Sequence, residues 1–437
     1  MGNWDDLDPA RRYHEGTKHS PESVRASGHW LDWDNRPHPF KEYEGLEAEP
    51  LPPELERLLR FGAGVIRTRE AGSGNEYHFR TYASAGALYP VEIYVATAEG
   101  LFHFHPRELA FRRLREGDWR GALVPDAEAV LVLTGILWRT AWKYQARGYR
   151  HLFWDAGTIL ANLLALAPEA RLLTGFVDDD VNRLVGVDGE REAALALLAV
   201  GRAGAPRAGQ APPLQVRAAP LSRSEVAYPE AYALHAAASL ASPEDVRQFA
   251  GGASPAPTTV DVFSGEEPEK VLRRRGSART FTLDSIPRDD LAGILEGASA
   301  PIPADFPASN EIFLFAHAVE ALPAGVYRFD QDFELVKPGD HRGWAGYLAL
   351  DQEHAARAAA THFLMADLEA VFANLGSRGY RVAQLEAGIR AGRVYLGAYA
   401  RGYGATGLTF YDDEVSDFFE TTKSPMLCVA AGPYARR

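Results

Sequence analysis

Lys143 and Tyr144 stand side by side in "AWKYQARGYR". Such a pair can move a proton near neutrality if burial lowers the lysine or a cation sits beside the tyrosine. Far downstream, "RRRGSARTF" places Arg275, Ser277 and Arg279 at alternate positions. In an extended segment alternate side chains share a face, so these three are expected to point one way. Two guanidiniums and a hydroxyl on one spot are what a phosphate group needs. A third stretch, "RTYASAGALYP", crowds small residues between tyrosines. Ser84 can cap a helix turn there, while Ala85, Gly86 and Ala87 leave the main chain approachable by a flat polar ring. A fourth, "RGYGATGLTF", carries Gly402, Gly404 and Gly407. Each has a plainer reading: a helix lead-in, a solvated basic stretch, a tight helix–strand junction and a glycine-rich loop.

The elements that must position these residues occur twice. "RGYRHLFWDAG" from Arg147 returns as "RGYRVAQLEAG" from Arg378, an offset of 231 that Asp155 and Glu386 share. "VEIYV" and "NEIFL" align Glu92 with Glu311, and "GFVDDDVNRLV" and "TFYDDEVSDFF" align Phe176 with Phe410. Between them "GLFHFHPRELAFRRL" matches "GVYRFDQDFELVKPG". The order is preserved and the offset drifts slowly, so the chain contains a duplicated domain. Each copy reads as a helix, an "EIYV" strand, a hairpin of two short strands, a helix opening near "RGYR" with an apolar stripe (Leu160, Leu163, Leu164), an acidic-started helix and a final apolar strand. This predicts an α+β class of two tandem domains, each a mixed or antiparallel sheet flanked by helices, forming a pseudo-dimer within one chain. The expected organisation is an arm over 1–50 belonging to neither repeat, domains over 51–203 and 263–437, and a Pro/Ala/Gly-rich linker with a helix over 204–262.

The chemistry-bearing residues divide between the copies. At the copy-two positions of Lys143 and Tyr144 stand Asn374 and Leu375, and at the copy-one positions of Gly402 and Gly404 stand Pro168 and Ala170. A single composite site between the copies is therefore expected.

Composition sets the outer limits. The chain has 437 residues, 46% hydrophobic and 24% charged, as ordinary soluble globular proteins do. A net charge of −13 argues against nucleic acid or an anionic membrane as partner. One cysteine, Cys428 in "MLCVAAG", fits a buried strand residue and a reducing cytoplasm. The N-terminus lacks the apolar core of a signal peptide, and no run reaches membrane-helix length. His14, Glu15, His19, His29 and His38 in the arm lack metal-ligand spacing, so no metal is expected; Trp30, Trp33 and Phe40 should pack the arm down. His103 and His105 should line a solvent-facing edge, and Arg147 and Arg150 should pair with Asp155 or cap helix ends.

Taken together, "RGSARTF", the Gly402–Gly404 loop and "SAGALYP" resemble the nitroreductase superfamily of flavoenzymes, whose FMN lies at a dimer interface. More narrowly, "SAGALYPVEIYV", "GLFHFHP" and "WKYQARGYRHLFWDAG" resemble the SagB/ThcOx-type dehydrogenases, and the similarity spans nearly the whole chain. Ala83 departs from the proline usual before the serine. The resemblance implies FMN held by Arg275, Ser277, Arg279, Gly402 and Gly404 from copy two and by Ser84, Ala85 and Gly86 from copy one. It implies Lys143 and Tyr144 as the catalytic pair of an oxidase converting azolines to azoles in a modified peptide or related small molecule. A peptide-modifying complex would be a partner, with the chain itself a monomer or homodimer. Two alternatives remain open: an NAD(P)H-dependent nitro or quinone reductase, and a flavin-free scaffold docking such a complex.

Overall fold

The computed structural model describes residues 6–70, 76–207, 209–249 and 260–435; most of the "GGASPAPTTV" break expected near the end of the linker lies outside them. Copy one forms an antiparallel sheet in the order Glu49–Pro50, Ala110–Glu116, Gly100–His105, Val91–Ala96, Ala129–Ile136, Glu192–Val200, Arg171–Leu173. Copy two repeats it as Asp332–Pro338, Gly325–Asp330, Asn310–Ala316, Ala360–Ala366, Ser424–Gly432, Gly404–Leu408. The expected α+β pair of domains is what the chain adopts.

The central strands Ala129–Ile136 and Ala360–Ala366 go beyond the sequence expectation. Their apolar runs have no period of two because both sheet faces are covered. Leu131 and Leu133 join the main core, while Val130 and Val132 turn to a second core under the helix Asp178–Val185. Cys428 is fully buried in strand Ser424–Gly432, as expected.

Helices Gly148–Leu166 and Arg378–Ala400 carry the duplicated motif and pack against each other at the centre. They cross where the motif ends in glycine. A Cβ on Gly157 would stand 2.5 Å from Gly388 Cα, and one on Gly388 would stand 2.6 Å from Trp154 O. Only two glycines let the backbones approach that closely.

The arginines of each "RGYR" cross to the other copy. Arg147 and Arg150 donate to Asp412 at 2.8 and 2.7 Å, and Arg378 and Arg381 donate to Asp178 at 2.6 and 2.9 Å. Every side chain involved is at most 3% exposed. This corrects the expected pairing with Asp155. The motif marks a pseudo-twofold contact, so its natural partner is the carboxylate of the opposite copy.

One helix of the arm and one of the linker take matching places against the two copies. His14, on helix Asp8–Gly16, meets Tyr380 of copy two, and His235, on helix Pro229–Ala237, meets Tyr149 of copy one. Asp412 accepts the His19 N–H as Asp178 accepts the Leu240 N–H. Both pairs lie 221 residues apart, so the linker helix is the second copy of the arm helix. The stretch before the linker helix is tied down at two points: Tyr43 bridges Ala218, and His38 N–H donates to Leu221 O.

Trp30 is 74% exposed and does not pack the arm; Trp33 is 62% exposed but sets its ring edge-on to Trp142 at 5.2 Å. Phe40, Lys41 and Tyr43 do, over the outer strands of sheet one. That cover also corrects the expectation for the two strand histidines. His103 and His105 are buried, His103 on Glu92 at 2.8 Å and His105 against Phe40 and Glu42.

Replacing Asp178 or Asp412 by Asn strands two buried guanidiniums, which costs about 3–5 kcal/mol. Urea unfolding should show that loss as a lower midpoint; an unchanged midpoint would mean that the triads contribute nothing.

Candidate functional site

Ser84 opens a tight turn whose backbone is under strain. Gly86, Ala87 and Tyr89 have φ of 62°, 53° and 50°. Left-handed conformations in non-glycine residues cluster at functional sites. The turn is pinned to helix Gly148–Leu166: Ser84 O–H donates to Asp155 Oδ2, Ala85 N–H donates to Asp155 Oδ1 at 3.0 Å, and Thr158 O–H donates to Ala83 O at 2.7 Å. Tyr89 N–H closes it back onto Ser84 Oγ at 2.9 Å.

Gly86 faces the Lys143–Tyr144 pair. A Cβ there would lie 3.0 Å from the Tyr144 hydroxyl and 3.3 Å from Lys143 Nζ. The pair ends helix Leu137–Tyr144, with Lys143 half-buried above the Tyr144 ring. In copy two the matching helix Leu368–Leu375 ends in Asn374 and Leu375, and the Asn374 amide merely donates to Ala370 O.

Copy two reaches this place with its basic segment, though differently from the sequence expectation. Arg275 does not share a face with Arg279. It is buried, and its guanidinium donates to Thr81 O, Arg80 O and Tyr82 O at 2.8–2.9 Å, bracing the strand end that leads into the Ser84 turn. Ser277 is half-buried, 3.3 Å from the Tyr395 hydroxyl. Arg279 is exposed and has no ion-pair partner among the described residues. It is close enough to Lys143 and Tyr144 to lower the pKa of both.

The late glycines have structural roles that the sequence did not show. Gly402, at φ 82°, closes helix Arg378–Ala400: its N–H donates to Tyr399 O and the Tyr403 N–H to Ala398 O. Gly404 lies tight against Tyr434 and Ala278, where a Cβ would come within 2.7–2.9 Å. Gly407 is exposed, as Gly402 is, and donates its N–H to the Tyr395 hydroxyl at 2.6 Å.

The electrostatics separate the two proton-carrying groups. Burial, then Arg279 and Arg36, lowers the pKa of Lys143 below the ordinary lysine range. Burial, helped by Asp155, raises that of Tyr144. The expectation of a tyrosine made acidic by a cation is thus corrected, because desolvation outweighs Arg279. Lys143, Arg279 and Arg36 have no acidic partner among the described residues, in a chain of net charge −13. A small cavity lies elsewhere, lined by Gly135, Tyr149, Leu152 and His235, with room for about 10 Å³.

Among the described residues one His–carboxylate group is compact: Glu42, His105 and Glu108. Glu42 meets Nε2 of the imidazole, while the Glu108 carboxylate and N–H meet Nδ1. One ligand atom from each of the three lies within 4.8 Å of the other two, a spacing that a metal ion could bridge.

The comparisons agree with the duplicated fold. The family model described as "Nitroreductase family" matches residues 46–202 and 272–432, and the chain belongs to that family. A Methanocaldococcus jannaschii protein named as a nitroreductase is 27% identical over 168 residues, 34% of this chain and 79% of that protein. A crystal structure from Anabaena variabilis, also described as a nitroreductase, covers 98% of this chain and 99% of its own at TM-score 0.81 and 24% identity. That likeness establishes the same fold over both copies. Among the described residues no helix is long and apolar enough to cross a membrane.

Gly86→Ala should cost about 1–2 kcal/mol through its left-handed φ alone. Its Cβ should also push Lys143 and Tyr144 apart from the turn. A crystal structure of the variant with both side chains unmoved would contradict the close approach.

Proposed function

We propose that the protein is an FMN-dependent oxidoreductase that oxidises an azoline ring, in a peptide or related small molecule, to the azole. One flavin would lie between the copies. The observation carrying this reading is the approach of Gly86 to Lys143 and Tyr144 in copy one with Arg279 of copy two near enough to act on both, at the half where the Lys–Tyr pair survives.

The residues present fit the cofactor by the chemistry of their donors. A cradle open at Gly86, a hydroxyl and two cations lacking acidic partners suit a planar ring carrying a phosphate. Ser277 and Arg279 would hold the phosphate, with Arg275 bracing the turn rather than binding. Ser84, Ala85 and Gly86 would border the ring. Gly402 and Gly404 would keep helix Arg378–Ala400 and its following strand in register beside it.

FMN held there would supply hydride acceptance, with molecular oxygen as the two-electron oxidant that leaves as hydrogen peroxide. The azoline loses two hydrogens, one as hydride and one as a proton. Lys143, its pKa lowered by burial and cationic neighbours, takes the proton on Nζ. Tyr144 stays protonated and donates a hydrogen bond that orients the ring. The cationic surroundings favour the charge that develops on reduction. At the opposite end of the interface copy two has Asn374 and Leu375 in place of the Lys–Tyr pair, so one flavin rather than two is proposed.

A second reading, an NAD(P)H-dependent reductase, is favoured by the name of the Methanocaldococcus jannaschii relative. Anaerobic mixing separates the two. Bleaching of the bound flavin by an azoline peptide but not by NADPH is the expected result, and the reverse would replace the oxidase with the reductase. Lys143→Met should keep FMN and lower azoline turnover about 10²–10⁴-fold. In the unaltered protein the rate should rise with pH as Lys143 loses its proton, at a pH below the ordinary lysine range. A pH-independent rate would remove Lys143 from the role.

A further inference from the structure

Both copies use a carboxylate on the central helix to tie down the chain entering the sheet. In copy two, Glu386 accepts Ser309 N–H at 2.8 Å, Asn310 N–H at 3.3 Å and the Ser309 hydroxyl. It has a counter-ion one helical turn on, Arg390 at 2.8 Å, and the chain passes straight into strand Asn310–Ala316. Copy one keeps the clamp and changes what surrounds it. Asp155 holds Ser84 and Ala85, but the strained residues Gly86 to Tyr89 now intervene before strand Val91–Ala96. Where copy two has Arg390, copy one has the buried Ile159. Asp155 is 2% exposed and has no ion-pair partner among the described residues.

A carboxyl buried without a counter-ion is costly, and copy two shows that the fold can supply one. The strained turn is costly as well. Both features occur only in the copy that retains Lys143 and Tyr144. We infer that Asp155 is the positioning residue of the site: through Ser84 and Ala85 it holds the Gly86–Tyr89 turn in its strained form, presenting Gly86 to Lys143 and Tyr144. The geometry stands by itself; the consequence for flavin rests on the proposed function.

The charge state of the clamp supports this assignment. Burial raises the Asp155 pKa to about 7 despite the Ser84, Ala85 and Arg80 contacts that pull it down. The other groups facing it are the Tyr82 and Tyr144 phenols, both held protonated by burial. The ionised carboxylate accepts both hydrogen bonds, whereas the neutral acid has one acceptor fewer. The turn should therefore tighten as pH rises through about 7.

Hydrogen exchange on the full chain without flavin tests the inference, with the Ser309–Asn310 clamp as an internal control. In Asp155→Ala, amide protection over residues 85–89 should fall about tenfold while that at Ser309 and Asn310 is unchanged. In Asp155→Asn, which keeps the shape and one acceptor, protection should be lower than in the unaltered protein at pH 8 and should lose its rise through pH 7. Equal loss at both clamps would mean a general destabilisation, and no loss at residues 85–89 would mean that Asp155 holds nothing; either result overturns the inference. FMN titration then distinguishes the two readings. Weaker binding by Asp155→Ala, by about tenfold, is expected. If the unaltered protein binds no FMN while the variant's turn still opens, the positioning role survives and the flavin reading falls. If the unaltered protein binds FMN and Asp155→Ala binds it equally well, the positioning role falls.

Discussion

Two buried aspartates hold the molecule together. Asp178 in copy one takes Arg378 and Arg381, and Asp412 in copy two takes Arg147 and Arg150. Buried charges of this kind are stable only when their partners are held in place. Each carboxylate therefore fixes the start of the opposite central helix. It also fastens the segment packed outside, with His19 N–H on Asp412 and Leu240 N–H on Asp178. With the helix starts fixed, the glycine crossing at Gly157 and Gly388 sets how closely the copies approach. That spacing brings Arg279 of copy two beside Lys143 of copy one.

A duplicated chain can let its two interface sites diverge, because one active site suffices. Here the structural parts stayed twofold: the triads, the glycine crossing and the carboxylate clamps at Asp155 and Glu386. The chemical parts did not. Copy one keeps Lys143, Tyr144 and the strained turn, while copy two keeps the basic segment and has Asn374 and Leu375 at the other end. The difference between Ile159 and Arg390 marks the same divergence in the support of the site.

Much of this was legible in the sequence, for a definite reason. Equivalent residues at a steady offset reveal a duplication whatever their contacts, so the two repeated domains could be read from "RGYR" and "EIYV". Spacing does not say which surface a residue meets. Arg147 and Arg150 find Asp412 rather than Asp155 because the symmetry axis passes between them, and no local pattern encodes that axis. Arg275 turns to the carbonyls of Arg80, Thr81 and Tyr82 because the segment is not a regular strand there. The arm's relation to the linker helix was hidden because "RRYHEG" and "YALHAA" share little beyond one histidine. Trp30 and Trp33 remained exposed because the arm covers the sheet through Phe40 and Lys41 instead.

The central claim is that two copies make one site. Isothermal titration of the flavin-free protein with FMN measures it directly, because the heat fixes the number of sites per chain independently of any substrate. The account predicts one FMN per chain, with binding weakened by Arg279→Ala from copy two and by Gly86→Ala from copy one. Two FMN per chain, or one whose affinity ignores either substitution, would contradict a single site shared between the copies.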